Sequence, residues 1–466
     1  MIKTFSDIVG EPYLLTGSAA APWAGDVTGK AQGEPLAVAR PASTAQVSAL
    51  VRAASDAGIP VVPAAGRTGL TGASLATGAL VISVDRMNTI RDIRPEARVA
   101  VVEAGVILSN LHDAAEQHGL VFPLTFGARG SAMAGGFLST NAGGSNVLRY
   151  GNTRDLCLGI EAVLPDGEVL DLMSGLHKNN SGYDLRHLMI GAEGTLGIIT
   201  AAVFKLVPKP RAYATAMLAL PDLPTALKLL NAVQQDTGGA VEACEYMPGD
   251  YVQNYAEIRP EAGLPFERAY DVTVMLEVGA TAPRDCDPGP DGEVPLTARF
   301  EAILAKYMED GLLLDAVIAR NEAQRAAMWA RREAAAEVAA TRAPRITNDI
   351  AVDLDRMDEF LTRADAVLKQ VDPGADRSIV AHLGDGNIHY TIWPSSSDAD
   401  EQDKIIEAVE DIVVDMRGSF SAEHGIGTFK LRSMARRKSP VALKTMRAIK
   451  AAIDPKGIMN PGKLLP

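Results

Sequence analysis

The chain has 466 residues, of which 47% are hydrophobic and 22% charged, and its formal net charge is −13. This length predicts two or three domains, and the acidic balance argues against nucleic acid or an anionic membrane surface as a partner. The sequence has no run of about 18 apolar residues that could cross a bilayer, and its first residues lack the apolar segment of a signal peptide. Three cysteines without metal-ligand spacing predict free buried thiols in a reducing compartment, which favours a cytoplasmic protein.

Residues 35–66 have the pattern of a strand, a helix and a second strand. Ser43 and Gln46 form a capping box at the start of the helix. The apolar residues that follow share one helical face, at Val47, Leu50, Val51 and Ala54. Gly58 ends the helix, and a strand at 59–62 leads into a glycine-rich loop.

Three glycine-rich tracts occur in the first half of the chain, at 66–72, 127–144 and 191–197. The first is compatible with a surface loop as well as with an anion site, and it matches neither the Walker nor the nicotinamide pattern. The second holds six glycines and four alanines in 18 residues, too little apolar volume for a core of its own. A predicted hairpin at 159–170, with a Pro-Asp-Gly turn, separates the second tract from the third. Three such loops on strands suggest one large bound cofactor.

Two histidines flank a Gly-Asp-Gly-Asn turn late in the chain. The apolar runs 378–380 and 390–393 predict paired strands, so His382 and His389 come to one end of a sheet. Glu423 and His424 follow in a second glycine-rich segment. Two imidazoles and a carboxylate can hold a divalent metal with one position open, which leaves His424 as an acid/base group. The alternative is that these are ordinary turn and core histidines.

From about residue 212 the chain alternates strands and helices in a way that predicts an α+β domain. Strands are predicted at 213–220, 240–244, 272–278 and 312–318. Helices are predicted at 223–235, 296–308, 321–340 and 441–452, and 281–292 is predicted as a surface loop.

Several of these segments resemble one flavoprotein superfamily in the right order along the chain. The segments 63–72 and 130–155 resemble the FAD-binding domain of the vanillyl-alcohol-oxidase and p-cresol-methylhydroxylase superfamily; the second includes Thr140-Asn141-Ala142-Gly143-Gly144 and Arg149-Tyr150-Gly151. The segments 382–389, 421–427 and 460–466 resemble its D-2-hydroxy-acid dehydrogenase branch, which holds D-lactate, D-2-hydroxyglutarate and glycolate dehydrogenases. The resemblance implies an α+β fold in which a two-part FAD-binding domain joins a ferredoxin-like α+β substrate domain. We expect the FAD-binding domain at 1–211, the substrate domain with the metal site at 212–425, and a helical segment that packs back on the FAD domain at 426–466.

The resemblance also implies which residues bind FAD. The first tract meets the pyrophosphate, the second surrounds the ribityl chain and flavin, and the third lies beside the adenine half. The expected cofactor-binding residues are Pro63, Gly66, Arg67, Thr68, Gly69, Leu70, Thr71, Gly72, Gly130, Ser131, Gly135, Gly136, Thr140, Asn141, Gly143, Gly144, Tyr150, Gly194, Gly197, Ile199 and Asn460. Because neither 66–72 nor 127–144 contains a histidine, we expect non-covalent FAD.

The expected reaction is oxidation of a D-2-hydroxy acid to the 2-oxo acid. His382, His389 and Glu423 would hold a divalent metal, with zinc as the expected ion, and His424 would be the general base. The hydride would pass to flavin N5. Expected partners are the small acid and an electron acceptor such as an electron-transfer flavoprotein, quinone or cytochrome, and a homodimer is compatible with the sequence.

Arg332 is the residue from which we predict the identity of the substrate. In Trp329-Ala330-Arg331-Arg332-Glu333 it matches the family's arginine for a substrate carboxylate, whereas Arg331 is expected on a solvated helix face. The threonine and lysine of the 2-hydroxyglutarate enzymes are replaced by Ala336 and Thr347. D-2-Hydroxyglutarate is therefore the first expectation, and D-lactate or glycolate is the alternative.

Two other classes of function remain open from the sequence. A metal hydrolase would use the same histidines and glutamate but would leave the glycine-rich tracts without a role. A binding module without catalysis would not need an intact ligand set.

Overall fold

The computed structural model describes residues 1–290 and 292–466. Its strands, numbered in chain order, are β1 Leu14–Leu15, β2 Ala37–Ala39, β3 Val61–Ala64, β4 Leu80–Ser83, β5 Ile90–Arg94, β6 Val99–Glu103, β7 Leu120–Val121, β8 Cys157–Val163, β9 Val169–Leu172, β10 Ile198–Lys205, β11 Val207–Pro208, β12 Ala212–Leu220, β13 Val241–Pro248, β14 Val272–Ala280, β15 Asp315–Ile318, β16 Ile346–Ala351, β17 Asp376–His382 and β18 Asn387–Trp393.

The α-helices are numbered in the same way. They are α1 Ile2–Val9, α2 Thr44–Asp56, α3 Leu108–Glu116, α4 Ala134–Thr140, α5 Val147–Tyr150, α6 Thr153–Leu156, α7 Leu185–Met189, α8 Leu223–Thr237, α9 Gly249–Ile258, α10 Pro283–Cys286, α11 Pro295–Glu309, α12 Glu322–Glu333, α13 Ala335–Ala339, α14 Met357–Val371, α15 Ala399–Asp415, α16 Leu431–Arg437 and α17 Pro440–Ile453.

The chain divides into two compact units. The first unit contains Met1–Gly144, Tyr150–Pro208 and Glu423–Pro466, and the second contains Ser145–Arg149 and Lys209–Ala422. The last 44 residues thus belong to the same unit as the first 144. This division follows compactness alone. The functional domains expected from the sequence, with boundaries at 211 and 425, stay a prediction.

The first unit is built on a four-stranded and a five-stranded sheet. In the four-stranded sheet β4 lies between β2 and β3 and is parallel to both. The two strands of the predicted strand–helix–strand pattern, β2 and β3, are therefore not neighbours in the sheet. Ser43 caps α2 as expected by accepting a hydrogen bond from the Gln46 amide. The five-stranded sheet is antiparallel, in the order β5-β6-β10-β8-β9. Its β8–β9 pair is the predicted hairpin, with Val163 opposite Val169.

The second unit is built on one antiparallel seven-stranded sheet. The strand order is β15-β12-β14-β13-β17-β18-β16. One face carries the main core, to which α8, α11, α14 and α15 contribute residues such as Leu229, Phe300, Phe360 and Val409. The opposite face packs on α9, α12 and α13 through a smaller cluster that includes Tyr251 and Met328. Antiparallel strands of this length alternate their side chains between two faces, so each strand serves both layers.

The strand predicted at 312–318 begins only at Asp315. Two other predicted segments differ from the structure in the elements they contain. The helix predicted at 321–340 is two helices, because the backbone turns at Ala334, where ψ is 4°. Alanine-rich sequence gives no signal for such a break, and the turn lets Ala334 and Val338 pack in the smaller cluster. The loop predicted at 281–292 contains the short helix α10, and its residue 291 lies outside the described residues.

Candidate functional site

The two predicted metal-binding histidines lie side by side on the second face of the seven-stranded sheet. His382 ends β17 and His389 lies in β18, and the register pairs His382 with Asn387 and Val380 with His389. All four side chains therefore share one face. The imidazole centroids of His382 and His389 are 5.4 Å apart, with the ring planes at 78°. The hairpin thus brings the two histidines together as the sequence predicts.

Glu245 lies behind His382 and was missed from the sequence. It is directly opposite His382 on the neighbouring strand β13 and is fully buried. Its Oε1 is 2.9 Å from His382 Nδ1, and its Oε2 accepts a hydrogen bond of 2.6 Å from Arg332 Nε. Burial raises the pKa of the Glu245 carboxyl, but the charges of His382 and Arg332 outweigh it, so the pKa is lowered overall. The carboxylate is therefore held in its ionised form.

Asp349 has the corresponding position behind His389. It lies on β16 opposite His389, is fully buried, and places Oδ1 at 3.9 Å from His389 Nδ1. The Asn387 amide donates to the same oxygen at 2.9 Å and to the Ile350 carbonyl at 2.9 Å. Asn387 Oδ1 is buried and has no hydrogen-bond partner among the described residues. Glu245 thus orients His382 by a hydrogen bond at Nδ1, as proteins orient imidazole ligands toward a metal. Asp349 lies on the Nδ1 side of His389 at 3.9 Å, which is longer than a hydrogen bond.

Arg332 lies on α12, close to this pair. The residue is buried, with 7% of its surface exposed, and its Nη2 is 3.4 Å from His382 Nε2. Nε is occupied by Glu245 and one side of Nη2 faces His382, which leaves the outer Nη1–Nη2 edge of the guanidinium as the part that can meet a ligand. Arg332 therefore brings a guanidinium into contact with one of the paired histidines.

The solvated position predicted for Arg331 is wrong. Arg331 is only 5% exposed, and its Nη2 donates to the Gly263 carbonyl at 3.0 Å. Its guanidinium also lies over the Tyr255 ring, at 5.4 Å from the centroid. The α12 helix is covered on two sides, by the sheet and by the loop around Gly263, so adjacent arginines can both be buried. The sequence periodicity of α12 predicts the side that packs on the sheet, but it does not predict the side that the loop around Gly263 covers.

A second buried carboxylate holds the start of α12. Glu277 on β14 accepts hydrogen bonds from Arg325 Nε and Nη2 at 2.7 and 2.8 Å. The Trp329 indole and the Thr215 hydroxyl donate to the same carboxylate at 2.8 and 2.6 Å. Helix α12 is thus fixed to the sheet by two Arg–Glu pairs two turns apart, each with a buried carboxylate, and the pair at Arg332 includes a histidine.

In the first unit, the first glycine-rich tract offers a row of backbone donors. None of the amide N–H groups of residues 67–72 has a hydrogen-bond partner among the described residues. Arg67 and Gly72, at the two ends of this row, have positive φ angles of 53° and 73°. Backbone N–H groups that have no protein acceptor in such a loop can bind an anion. The Arg67 side chain itself donates to the Pro22 carbonyl and stacks near Trp23. Arg67 can therefore bind a ligand through its backbone rather than its guanidinium.

The second tract packs against the first. A Cβ on Gly66 would lie 2.2 Å from the Ser131 carbonyl oxygen, and one on Gly136 would lie 3.3 Å from Ala65 Cβ. Gly127 and Gly130, by contrast, face open space. Helix α4 follows and ends at Asn141, whose φ is 52°. The glycines therefore have two roles: some allow close packing of the loops, and others leave an uncovered backbone.

The third tract joins the first tract to the segment that carries Glu423 and His424. Glu193 accepts hydrogen bonds of 2.7 Å from the amides of Ile426 and Gly427. The His424 carbonyl accepts a hydrogen bond of 3.2 Å from the Thr71 hydroxyl. Burial raises the pKa of Glu193, although the hydrogen bonds from the two amides lower it in part. Glu423 and His424 are therefore held beside the first tract within the same unit.

The other predicted residues of the first unit lie around these loops. Pro63 packs on Gly194, where a Cβ would be 2.8 Å from Pro63 Cγ. Asn460 donates to the carbonyls of Glu193 and Ala73 at 2.7 and 3.0 Å. Ile199 is a buried core residue of β10, and Tyr150 packs beside the same core.

Comparison with known proteins decides the family. Residues 209–464 match the family described as FAD linked oxidases, C-terminal domain, and residues 35–173 match the FAD binding domain. The chain is 37% identical to D-2-hydroxyglutarate dehydrogenase of Xanthomonas citri pv. viticola, over 92% of this chain and 89% of that protein. It is 36% identical to the enzyme of that name from Stutzerimonas stutzeri, over 92% and 91%.

The chain belongs to the FAD-linked oxidase family. It is a flavin-dependent oxidoreductase that acts on a CH–OH group. The fold of p-cresol methylhydroxylase with substrate bound superposes with a TM-score of 0.74 at 16% identity, over 99% of this chain and 95% of that one. This likeness confirms the predicted fold class.

The loops of this FAD-linked oxidase fit a dinucleotide cofactor. The unpartnered amides of 67–72 suit a pyrophosphate, and the open glycines at 127 and 130 let a flat ring approach the backbone. Among the described residues, no helix is both long and apolar enough to cross a membrane.

Proposed function

We propose that this FAD-linked oxidase oxidises D-2-hydroxyglutarate to 2-oxoglutarate with the help of a divalent metal. The observation that carries the proposal is the pair His382 and His389, each backed by a buried carboxylate on one face of the sheet. The relatives named above are D-2-hydroxyglutarate dehydrogenases and align over nearly the whole chain.

The residues proposed to hold FAD are those of the three glycine-rich tracts, together with Pro63, Tyr150, Ile199 and Asn460. Binding is proposed to be non-covalent, because 66–72 and 127–144 contain no histidine. When bound, FAD accepts the hydride that leaves C2 of the substrate. Denaturation should release the flavin into solution, and flavin that stays with the polypeptide in acid would contradict this part of the proposal.

The residues proposed to hold the metal are His382, His389 and Glu423. Two imidazoles and a carboxylate suit zinc, which we propose as the ion. When bound, such an ion lowers the pKa of a hydroxyl that it coordinates. Glu423 directly follows Ala422, whose amide donates to the Asp349 carbonyl at 3.1 Å.

His424 is proposed as the general base. It takes the proton of the C2 hydroxyl while the hydride leaves C2, so the acid loses two electrons and two protons in all. Arg332 is proposed to bind a substrate carboxylate through its Nη1–Nη2 edge, since Nε is occupied by Glu245.

D-Lactate or glycolate is the second candidate substrate. Ala336 and Thr347 stand where the resemblance leads us to expect a threonine and a lysine, which removes one cation for a second carboxylate. The test is a panel of D-2-hydroxyglutarate, D-lactate, glycolate and the L enantiomers with an artificial dye as electron acceptor. The proposal predicts the highest kcat/KM for D-2-hydroxyglutarate. Preference for an L enantiomer, or no turnover of any of these acids, would refute it.

The electron acceptor and compartment complete the proposal. We propose an electron-transfer flavoprotein, quinone or cytochrome as acceptor, and a cytoplasmic location supported by three free and buried cysteines. Measuring reoxidation of the reduced enzyme by each class of acceptor distinguishes them.

A further inference from the structure

Glu245 contacts both a proposed metal ligand and the proposed substrate arginine. Oε1 lies 2.9 Å from His382 Nδ1, and Oε2 lies 2.6 Å from Arg332 Nε. The side chain is fully buried and faces His382 across a β13–β17 pair, which fixes its direction. One carboxylate therefore determines the orientation of two functional side chains.

The contact with His382 determines which ring nitrogen can bind a metal. An ionised carboxylate only accepts hydrogen bonds, so His382 Nδ1 must carry the proton that it shares with Oε1. The lone pair of a neutral ring then lies on Nε2. A metal would therefore be bound through Nε2. In this structure Nε2 lies 3.4 Å from Arg332 Nη2, so a metal at Nε2 would replace that contact.

The contact with Arg332 determines which edge of the guanidinium remains for substrate. A bond at Nε prevents the planar group from turning about its long axis. The Nη1–Nη2 edge then keeps one direction, as bidentate recognition of a carboxylate requires.

We propose that Glu245 is a positioning residue that presents His382 Nε2 to the metal and orients Arg332 for the substrate carboxylate. This inference rests on the proposed function, because it needs both a metal at His382 and an acid at Arg332. It adds that the two sites share one support, so that a single change at Glu245 weakens both.

The chain offers a matched control in Glu277. Glu277 is 2% exposed, lies on the adjacent strand β14, and pairs with Arg325 of the same helix α12. It contacts an indole where Glu245 contacts an imidazole. Replacing either glutamate by glutamine removes one buried charge beside an α12 arginine, so a general loss of packing affects both variants alike.

The first test is zinc binding to FAD-loaded, metal-stripped protein, measured by competition with a chromophoric chelator. A glutamine at 245 has one carbonyl oxygen and one amide group, so it can accept from His382 or Arg332 but not from both. Glu245→Gln should therefore weaken zinc binding by about 10- to 100-fold, and Glu277→Gln should match the unmodified protein. With zinc in excess, Glu245→Gln should still have a raised KM for the acid because Arg332 has lost its support.

The outcomes separate this inference from the proposed function. If His382→Ala loses zinc but Glu245→Gln binds it normally, or if both glutamine variants lose it equally, the role of Glu245 is refuted. If His382→Ala also binds zinc normally, the proposed metal site is wrong as well. An unchanged KM at saturating zinc would refute the part that concerns Arg332.

A measurement on the unmodified protein covers the case in which Glu245→Gln does not fold. Nitrogen-15 NMR of histidine-labelled protein reports the tautomer of each imidazole, and the His382 signals are those missing in His382→Ala. We expect His382 to carry its proton on Nδ1 both with and without zinc. A proton on Nε2 in the metal-free protein would refute the inference.

Discussion

The imidazole rings of His382 and His389 lie 5.4 Å apart although six residues separate them in the chain. A tight turn after β17 reverses the chain, and the antiparallel register places both rings on one face. Each ring has its own buried carboxylate, Glu245 or Asp349. Each histidine can therefore be held in place by a different carboxylate.

Removing a proposed metal ligand should abolish metal binding but not flavin binding. His382→Ala, His389→Ala and Glu423→Ala should each lose metal and activity and keep FAD, because the flavin contacts are proposed to come from the glycine-rich tracts. Elemental analysis and the flavin absorbance of the purified variants check this. Chelation should inactivate the unmodified protein, and added zinc should restore it. Full turnover after exhaustive chelation would show that the metal has no catalytic role.

Replacing His424 should separate catalysis from metal binding. If His424 is the general base, His424→Ala should lower kcat by about 10² or more and leave the metal content unchanged. The comparison with Glu423→Ala makes this test sharp, since the two residues are adjacent in the same segment. If His424→Ala loses the metal and Glu423→Ala keeps it, the two roles are reversed.

Arg332→Ala should discriminate between the two candidate substrates. A lost charge pair to a second carboxylate costs about 3 kcal/mol, so kcat/KM for D-2-hydroxyglutarate should fall by about a hundredfold. D-Lactate has no second carboxylate and should change little. If both acids lose the same factor, Arg332 binds the first carboxylate instead, and the preference for a diacid has another origin.

The sequence predicted best those features that depend on residues close together in the chain. The Ser43 cap, the β8–β9 hairpin and the turn between His382 and His389 each depend on residues a few positions apart, and all three are found as predicted. Glu245 was missed because it reaches His382 from 137 residues away through a strand pairing that no local pattern encodes. Arg331 was misplaced because a loop around Gly263 covers the side of α12 that the sequence marks as polar.

The cysteines should be unreactive in the folded protein. Cys157, Cys244 and Cys286 are all free and buried. Burial raises the pKa of Cys157 to about 12 and that of Cys244 well above its ordinary value, and it also raises the pKa of Cys286. The reactive thiolate is therefore scarce at mildly alkaline pH. An Ellman titration should find no fast thiol in the native protein and all three after denaturation. A fast-reacting thiol in the native state would contradict this burial.

Reduction of the bound flavin by substrate alone tests the proposed reaction without any external acceptor. The FAD- and zinc-loaded protein is mixed anaerobically with D-2-hydroxyglutarate, and the absorbance of oxidised flavin is followed over time. We expect rapid bleaching with the D enantiomer, none with the L enantiomer, and slow bleaching with D-2-hydroxyglutarate in His424→Ala. Flavin that stays oxidised with D-2-hydroxyglutarate, D-lactate and glycolate alike would contradict the proposed oxidation of a D-2-hydroxy acid.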